Sequence, residues 1–121
     1  MPTTITICDT CRRGDREIVE ARPCGEILAE LVEAAAQGVA GVETRRHSCL
    51  MGCSGACNVA LQAQGKMAYT LGRFEPTPEA AEGIVRYAAR HAELPSGVVP
   101  FREWPTAVKG HFVTRHPPLP G

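Results

Sequence analysis

Thr3-Thr4-Ile5-Thr6-Ile7-Cys8 alternates polar and apolar residues with period two, the pattern of a half-buried strand, and sets a thiol at its C-terminal end. In α/β proteins that end of a strand is where ligands are held. A second and denser group of thiols lies at Cys49-Leu50-Met51-Gly52-Cys53-Ser54-Gly55-Ala56-Cys57, three cysteines at four-residue spacing with two glycines between them. Gly52 and Gly55 favour a tight loop over a helix, because glycine costs about 1 kcal/mol in a helix interior and lets backbone N–H groups approach bound sulfur. With Cys8-Asp9-Thr10-Cys11 this loop reads as a metal or iron–sulfur site; three small buried hydrophobes would explain neither the even spacing nor the other pair.

Between the two cysteine groups the chain reads as a charged surface loop over 9–22, then a helix. Pro23 suits a helix start and Gly38 its stop, and Ile27, Leu28, Leu31, Val32 and Ala35 repeat at three and four residues with Glu26, Glu30 and Glu33 off that stripe. Val39 to His47 reads as a second strand that feeds into the cysteine loop. Val59–Leu61 and Ala68–Leu71 read as a hairpin turned at Gln64-Gly65-Lys66. Thr77-Pro78-Glu79 opens a second helix, Thr77 as N-cap and Pro78 at the first helical position. Its apolar face is Ala81, Ile84, Val85 and Ala88, and its end is expected near Arg90 or His91. From Pro95 onward prolines recur and preclude a regular helix or central strand, so residues 95–121 are expected as an extended proline-rich tail that wraps a domain of residues 1–94, pinned by Phe101 and Trp104.

The 121 residues carry 13 basic and 13 acidic side chains, so no global field exists to hold nucleic acid or an anionic membrane surface, and any partner must be recognised locally. Met1 leads into the strand pattern with neither a basic n-region nor an apolar h-region, and no apolar run is long enough to span a bilayer, so a cytoplasmic protein is expected. Six cysteines in a reducing compartment point to metal or redox chemistry rather than to disulfides.

A βαβ unit followed by ββα is the layout of a thioredoxin-like α/β domain. Cys8 at the end of the first strand, Cys49-x3-Cys53 in a glycine-bearing loop, and the segment Gly65-Lys66-Met67-Ala68-Tyr69 resemble the thioredoxin-like 2Fe-2S ferredoxins over residues 3–91. The whole chain also resembles an uncharacterised bacterial family of small predicted metal-binding proteins whose genes accompany cobalamin synthesis. That resemblance rests on Cys8-x2-Cys11-Arg12, Cys49-Leu50-x2-Cys53-x3-Cys57, Val59-Ala60-Leu61-Gln62-Ala63 with Gly65-Lys66, and Arg115-x-Pro117-Pro118. It implies a 2Fe-2S cluster and a small electron-transfer or redox-sensing protein rather than an enzyme, serving cobalamin biosynthesis. The ligands expected are Cys8, Cys11, Cys49 and Cys53, with Cys24 and Cys57 as alternates, because the ferredoxins place their second cysteine between the positions that Cys11 and Cys24 occupy here.

Two other chemistries remain open on the residues. Structural zinc suits four thiolates in two short-spaced pairs, and Cys8-x2-Cys11 has the internal spacing of a thiol oxidoreductase. His47 is a further candidate ligand, whereas His91, His111 and His116 have no metal spacing. Arg12, Arg13, Arg45 and Arg46 flank the cysteines and suit an acidic redox partner protein, with a homodimer left open. No Ser-His-Asp order, phosphate-binding glycine pattern or catalytic carboxylate pair is present to support hydrolase or kinase chemistry.

Overall fold

In the computed structural model, which describes residues 2–8, 24–47, 58–75 and 77–117, a five-stranded sheet carries two helices on one face. Strand β1 (Thr3–Cys8) leads to helix α1 (Cys24–Ala36) and strand β2 (Val42–His47). Strands β3 (Val59–Gln62) and β4 (Ala68–Leu71) follow, then helix α2 (Pro78–Glu93), two 3-10 turns at Phe101–Glu103 and Thr106–Val108, and strand β5 (Phe112–His116). The sheet order is β2-β1-β3-β4-β5, with β1 parallel to β2 and every other pair antiparallel.

Alternation along β1 sends Thr3, Ile5 and Ile7 to the helix side, where Val59 and Leu61 of β3, Tyr69 and Leu71 of β4, and Leu28, Ala29 and Val32 of α1 are buried with them. Each large aliphatic side chain buried there contributes about 1.5–3 kcal/mol. Gly65 takes a φ of +73° at the β3–β4 turn, which an L residue would resist. The α2 start follows its local signals: the Thr77 hydroxyl accepts from the Ala80 N–H at 3.2 Å, with Pro78 next in line. The helix runs on to Glu93, past the expected stop, because Tyr87 and His91 extend the buried stripe of Ile84, Val85 and Ala88 by another turn.

Within the segment expected as an extended wrap, residues 112–116 join the sheet as its outer strand, and the two 3-10 turns follow Pro100 and Pro105. Trp104 anchors this stretch as expected: it lies against Tyr87 of α2 and Phe112 of β5, ring centroids 6.2 and 4.4 Å away, and its indole N–H donates to the Val99 carbonyl at 2.8 Å. Phe101 packs against Trp104 alone among the described rings, centroids 4.9 Å apart, and is otherwise 64 % exposed beneath the Lys109 ammonium. The Tyr87 hydroxyl is buried without a hydrogen-bond partner among the described residues, and that burial pushes its pKa up.

At the N-terminal end of β1 a polar lock joins three elements. His91 is wholly buried; its Nε2 lies 2.7 Å from the Met67 carbonyl and its Nδ1 2.7 Å from the Thr3 hydroxyl. A carbonyl can only accept, so neutral His91 carries its proton on Nε2, and the Thr3 hydroxyl donates to Nδ1. Lys66 reaches the end of α2 and donates to the carbonyls of His91 and Ala92 at 3.1 and 2.5 Å, where the helix dipole favours a cation. Gly97, at φ +73°, closes the lock: a Cβ there would sit 2.6 Å from His91 Nε2.

Burial first, and the neighbouring Lys66 charge as well, hold the His91 pKa below its ordinary 6.5, against an opposing pull from the Met67 carbonyl. The unfolded chain therefore binds this proton before the folded one does, so the lock's contribution is whole above about pH 6.5 and declines as pH falls toward the folded value. Denaturant midpoints measured from pH 8 down to 5 are expected to fall for the wild type. In His91→Gln the midpoint should be lower at pH 8 and its decline with acid shallower; an equal decline in both would remove His91 as the cause.

Candidate functional site

The last residue of β1, Cys8, meets the described residues on either side of the 48–57 stretch. Cys8 stands opposite His47, the last residue of β2, and its backbone N–H donates at 3.0 Å to the carbonyl of Asn58, the residue before β3. His47 and Asn58, the described residues on either side of 48–57, thus both lie beside Cys8. Because β1 and β2 are parallel, α1 between them must run back along the sheet, so Cys24 opens that helix at the same end. Alternation along β1 places the Cys8 side chain with Thr4 and Thr6 on the face away from the helices, and it is 1 % exposed.

Cys11, Cys49, Cys53 and Cys57 lie outside the described residues, as do Arg12 and Arg13, and of Cys24 only the backbone is described. Among the described residues no three histidine, cysteine or acidic side chains gather as a metal site would require. His91 belongs to the lock at the opposite end of β1. His111 stacks on Phe74 with centroids 4.3 Å apart and pairs with the Gly72 carbonyl at 2.9 Å, and His116 is near Thr114 on the outer strand.

The two arginines before the cysteine stretch point to opposite faces of β2. Arg46, on the helix side, makes a bidentate pair with Glu33 of α1, Nη2 to Oε1 at 2.7 Å and Nε to Oε2 at 2.9 Å, and tethers the end of β2 to the helix. Hydrogen bonding from Arg46 holds the Glu33 carboxyl below its usual range. Arg45, on the other face, crosses β1 and donates to the Thr6 hydroxyl at 2.7 Å and to the Gln62 carbonyl oxygen at 3.4 Å. Sequence reading put both arginines beside the cysteines but missed these contacts, which depend on strand register. The one available signal was the alternation itself, which assigns 45 and 46 to different faces.

Residues 5–118 match the family DUF1636, described as protein of unknown function. The chain belongs to the DUF1636 family. Comparisons with curated proteins and with solved structures gave no match. In this DUF1636 member no helix among the described residues is long and apolar enough to cross a membrane.

The Glu33 and Arg46 side chains are each about a third exposed, so water screens the pair even though its geometry is bidentate. Glu33→Gln is expected to cost less than about 1 kcal/mol, with the difference from wild type shrinking as salt rises. Thermal melts at low and high ionic strength check this; a larger cost that ignores salt would assign Glu33 a packing role.

Proposed function

We propose that the protein holds an iron–sulfur cluster of the 2Fe-2S type and works as a small electron carrier or redox sensor. The observation that carries the reading is the position of Cys8: the strand ends that bound the 48–57 stretch, with Cys49, Cys53 and Cys57 inside it, both lie beside it, and α1 begins at Cys24 at the same end. The ligands proposed are Cys8, Cys11, Cys49 and Cys53, with Cys24 and Cys57 as alternates. A βαβ unit followed by ββα supports the thioredoxin-like reading of the fold, to which β5 is an addition at the β4 edge. Thiolates suit such a cluster because they are soft, anionic ligands for its iron, and cationic side chains near it would offset the negative charge of the ligated cluster. The place in cobalamin synthesis rests on family resemblance alone, and so does the redox partner.

Zinc on the same thiolates is the competing reading. It is weakened by the core, since zinc most often rescues domains that cannot bury enough apolar surface, whereas this sheet closes against two helices.

Protein purified without oxygen should be brown, with iron and acid-labile sulfide in equal amounts and a paramagnetic signal after dithionite reduction. Colourless protein with one tightly held zinc that resists cluster reconstitution would replace the proposal with its rival. In a series of single serine replacements, Cys8→Ser, Cys49→Ser and Cys53→Ser should abolish cluster content and Cys11→Ser reduce it, while Cys24→Ser and Cys57→Ser keep most of it. Full loss in Cys24→Ser with none in Cys11→Ser would move the fourth ligand to Cys24.

A further inference from the structure

On the sheet face away from the helices, near the N-terminal end of β1, Thr4, Glu43, Arg45, Gln62 and Gln64 line an open depression of about 670 Å³. Thr4 is four residues from Cys8, about 13 Å along the strand, so this feature is separate from the cysteine end. Of the side chains around it, Arg45 is tied to its neighbours by hydrogen bonds on two strands. The Thr6 hydroxyl and the Gln62 amide, both on strands inside the sheet, accept from its Nε and Nη2 and lay the guanidinium across β1. Neither acceptor carries charge, and no carboxylate among the described residues makes an ion pair with Arg45. Nη1 and the second N–H of Nη2 form the end of the fork, the edge that binds a carboxylate through two parallel hydrogen bonds.

A surface arginine ordinarily loses rotamer freedom when it binds an anion, and here the sheet has already imposed that order. The depression is not uniformly cationic, however. Glu43 stands two residues before Arg45 on the same face of β2, about 7 Å away between Cα atoms. Its carboxylate also makes no ion pair among the described residues, and it would repel a simple anion drawn to Arg45. A molecule with a carboxylate at one end and an ammonium at the other meets attraction at both points.

We propose that this depression binds a small amino-carboxylate, its carboxylate on the free end of the Arg45 guanidinium and its ammonium toward Glu43, with Thr4 and Gln64 as neutral polar contacts. The test is a titration of isotope-labelled full-length protein, followed by amide and arginine N–H shifts, with 4-aminobutyrate, acetate and ethylammonium as separate probes. 4-Aminobutyrate should give saturable shifts confined to residues 43–45 and 62–64, and acetate should bind more weakly. Arg45→Gln should weaken 4-aminobutyrate by about tenfold or more, a loss that two charge-assisted hydrogen bonds explain. Glu43→Gln should bring 4-aminobutyrate down to the level of acetate without weakening acetate itself. Amide shifts elsewhere report whether each variant is folded, and Arg45→Lys, which keeps the charge and loses the fork, stands in if Arg45→Gln is not. Absence of saturable shifts with all three probes, unchanged binding in Arg45→Gln, or acetate binding as tightly as 4-aminobutyrate would each overturn the proposal.

Discussion

β1 is hydrogen-bonded on both edges, parallel to β2 and antiparallel to β3, and five of its six residues are buried, so neither face of the strand is free to shift. A slip of one residue would exchange Ile5 and Ile7 for Thr4 and Thr6 on the helix side and strip the core of its centre. That constraint fixes the placement of everything polar. Cys8 must come at one end of the sheet, Thr3 must meet His91 at the other, and Thr6 must accept Arg45 on the face opposite the helices.

The two ends of β1 are therefore built differently. At its start the chain is closed by contacts between elements far apart in sequence: Thr3, Lys66, His91 and Gly97 converge with every polar group satisfied. A satisfied buried network rigidifies, and a partly satisfied one costs stability. At its far end the same strand meets the flanks of a long cysteine-bearing stretch, His47 and Asn58, and the start of α1. One end is held by packing and hydrogen bonds that need no ligand; the cluster proposed above would lie at the other.

Elements declared by local chemistry were legible in the sequence. The Thr77-Pro78 start of α2, the Gly65 turn and the strand alternation before Cys8 act within a few residues of themselves, and the structure has each of them. Residues 112–116 were not legible as a strand, because their proline-rich surroundings suggest irregular chain while pairing with β4 is decided by partners over forty residues away. Phe101 and Trp104 were indistinguishable as anchors in sequence; the 3-10 turn that starts at Phe101 sets Trp104 into the aromatic cluster and leaves Phe101 at its exposed rim, against Trp104. The burial of His91 had a readable trace, since it continues the spacing of Ile84 and Ala88 along α2, but a histidine on an apolar stripe does not name its acceptor. Of the six cysteines the structure describes the side chain of Cys8 alone, so the ligand set stays where sequence spacing and resemblance put it.

The placement of charge around β2 bears on how a partner would meet the protein. Arg45 and Arg46 are adjacent in sequence and add to one positive stretch when read in line, yet the pleat divides them. Arg46 is neutralised by Glu33 on the helix side, and Arg45 keeps its full charge on the other face. A docking protein steered by electrostatics would feel Arg45 far more than Arg46, because a bidentate pair has little field beyond a few ångströms at physiological salt. Any acidic partner drawn by Arg45 would therefore come over the face that it shares with Thr6 and Cys8 rather than over the helices.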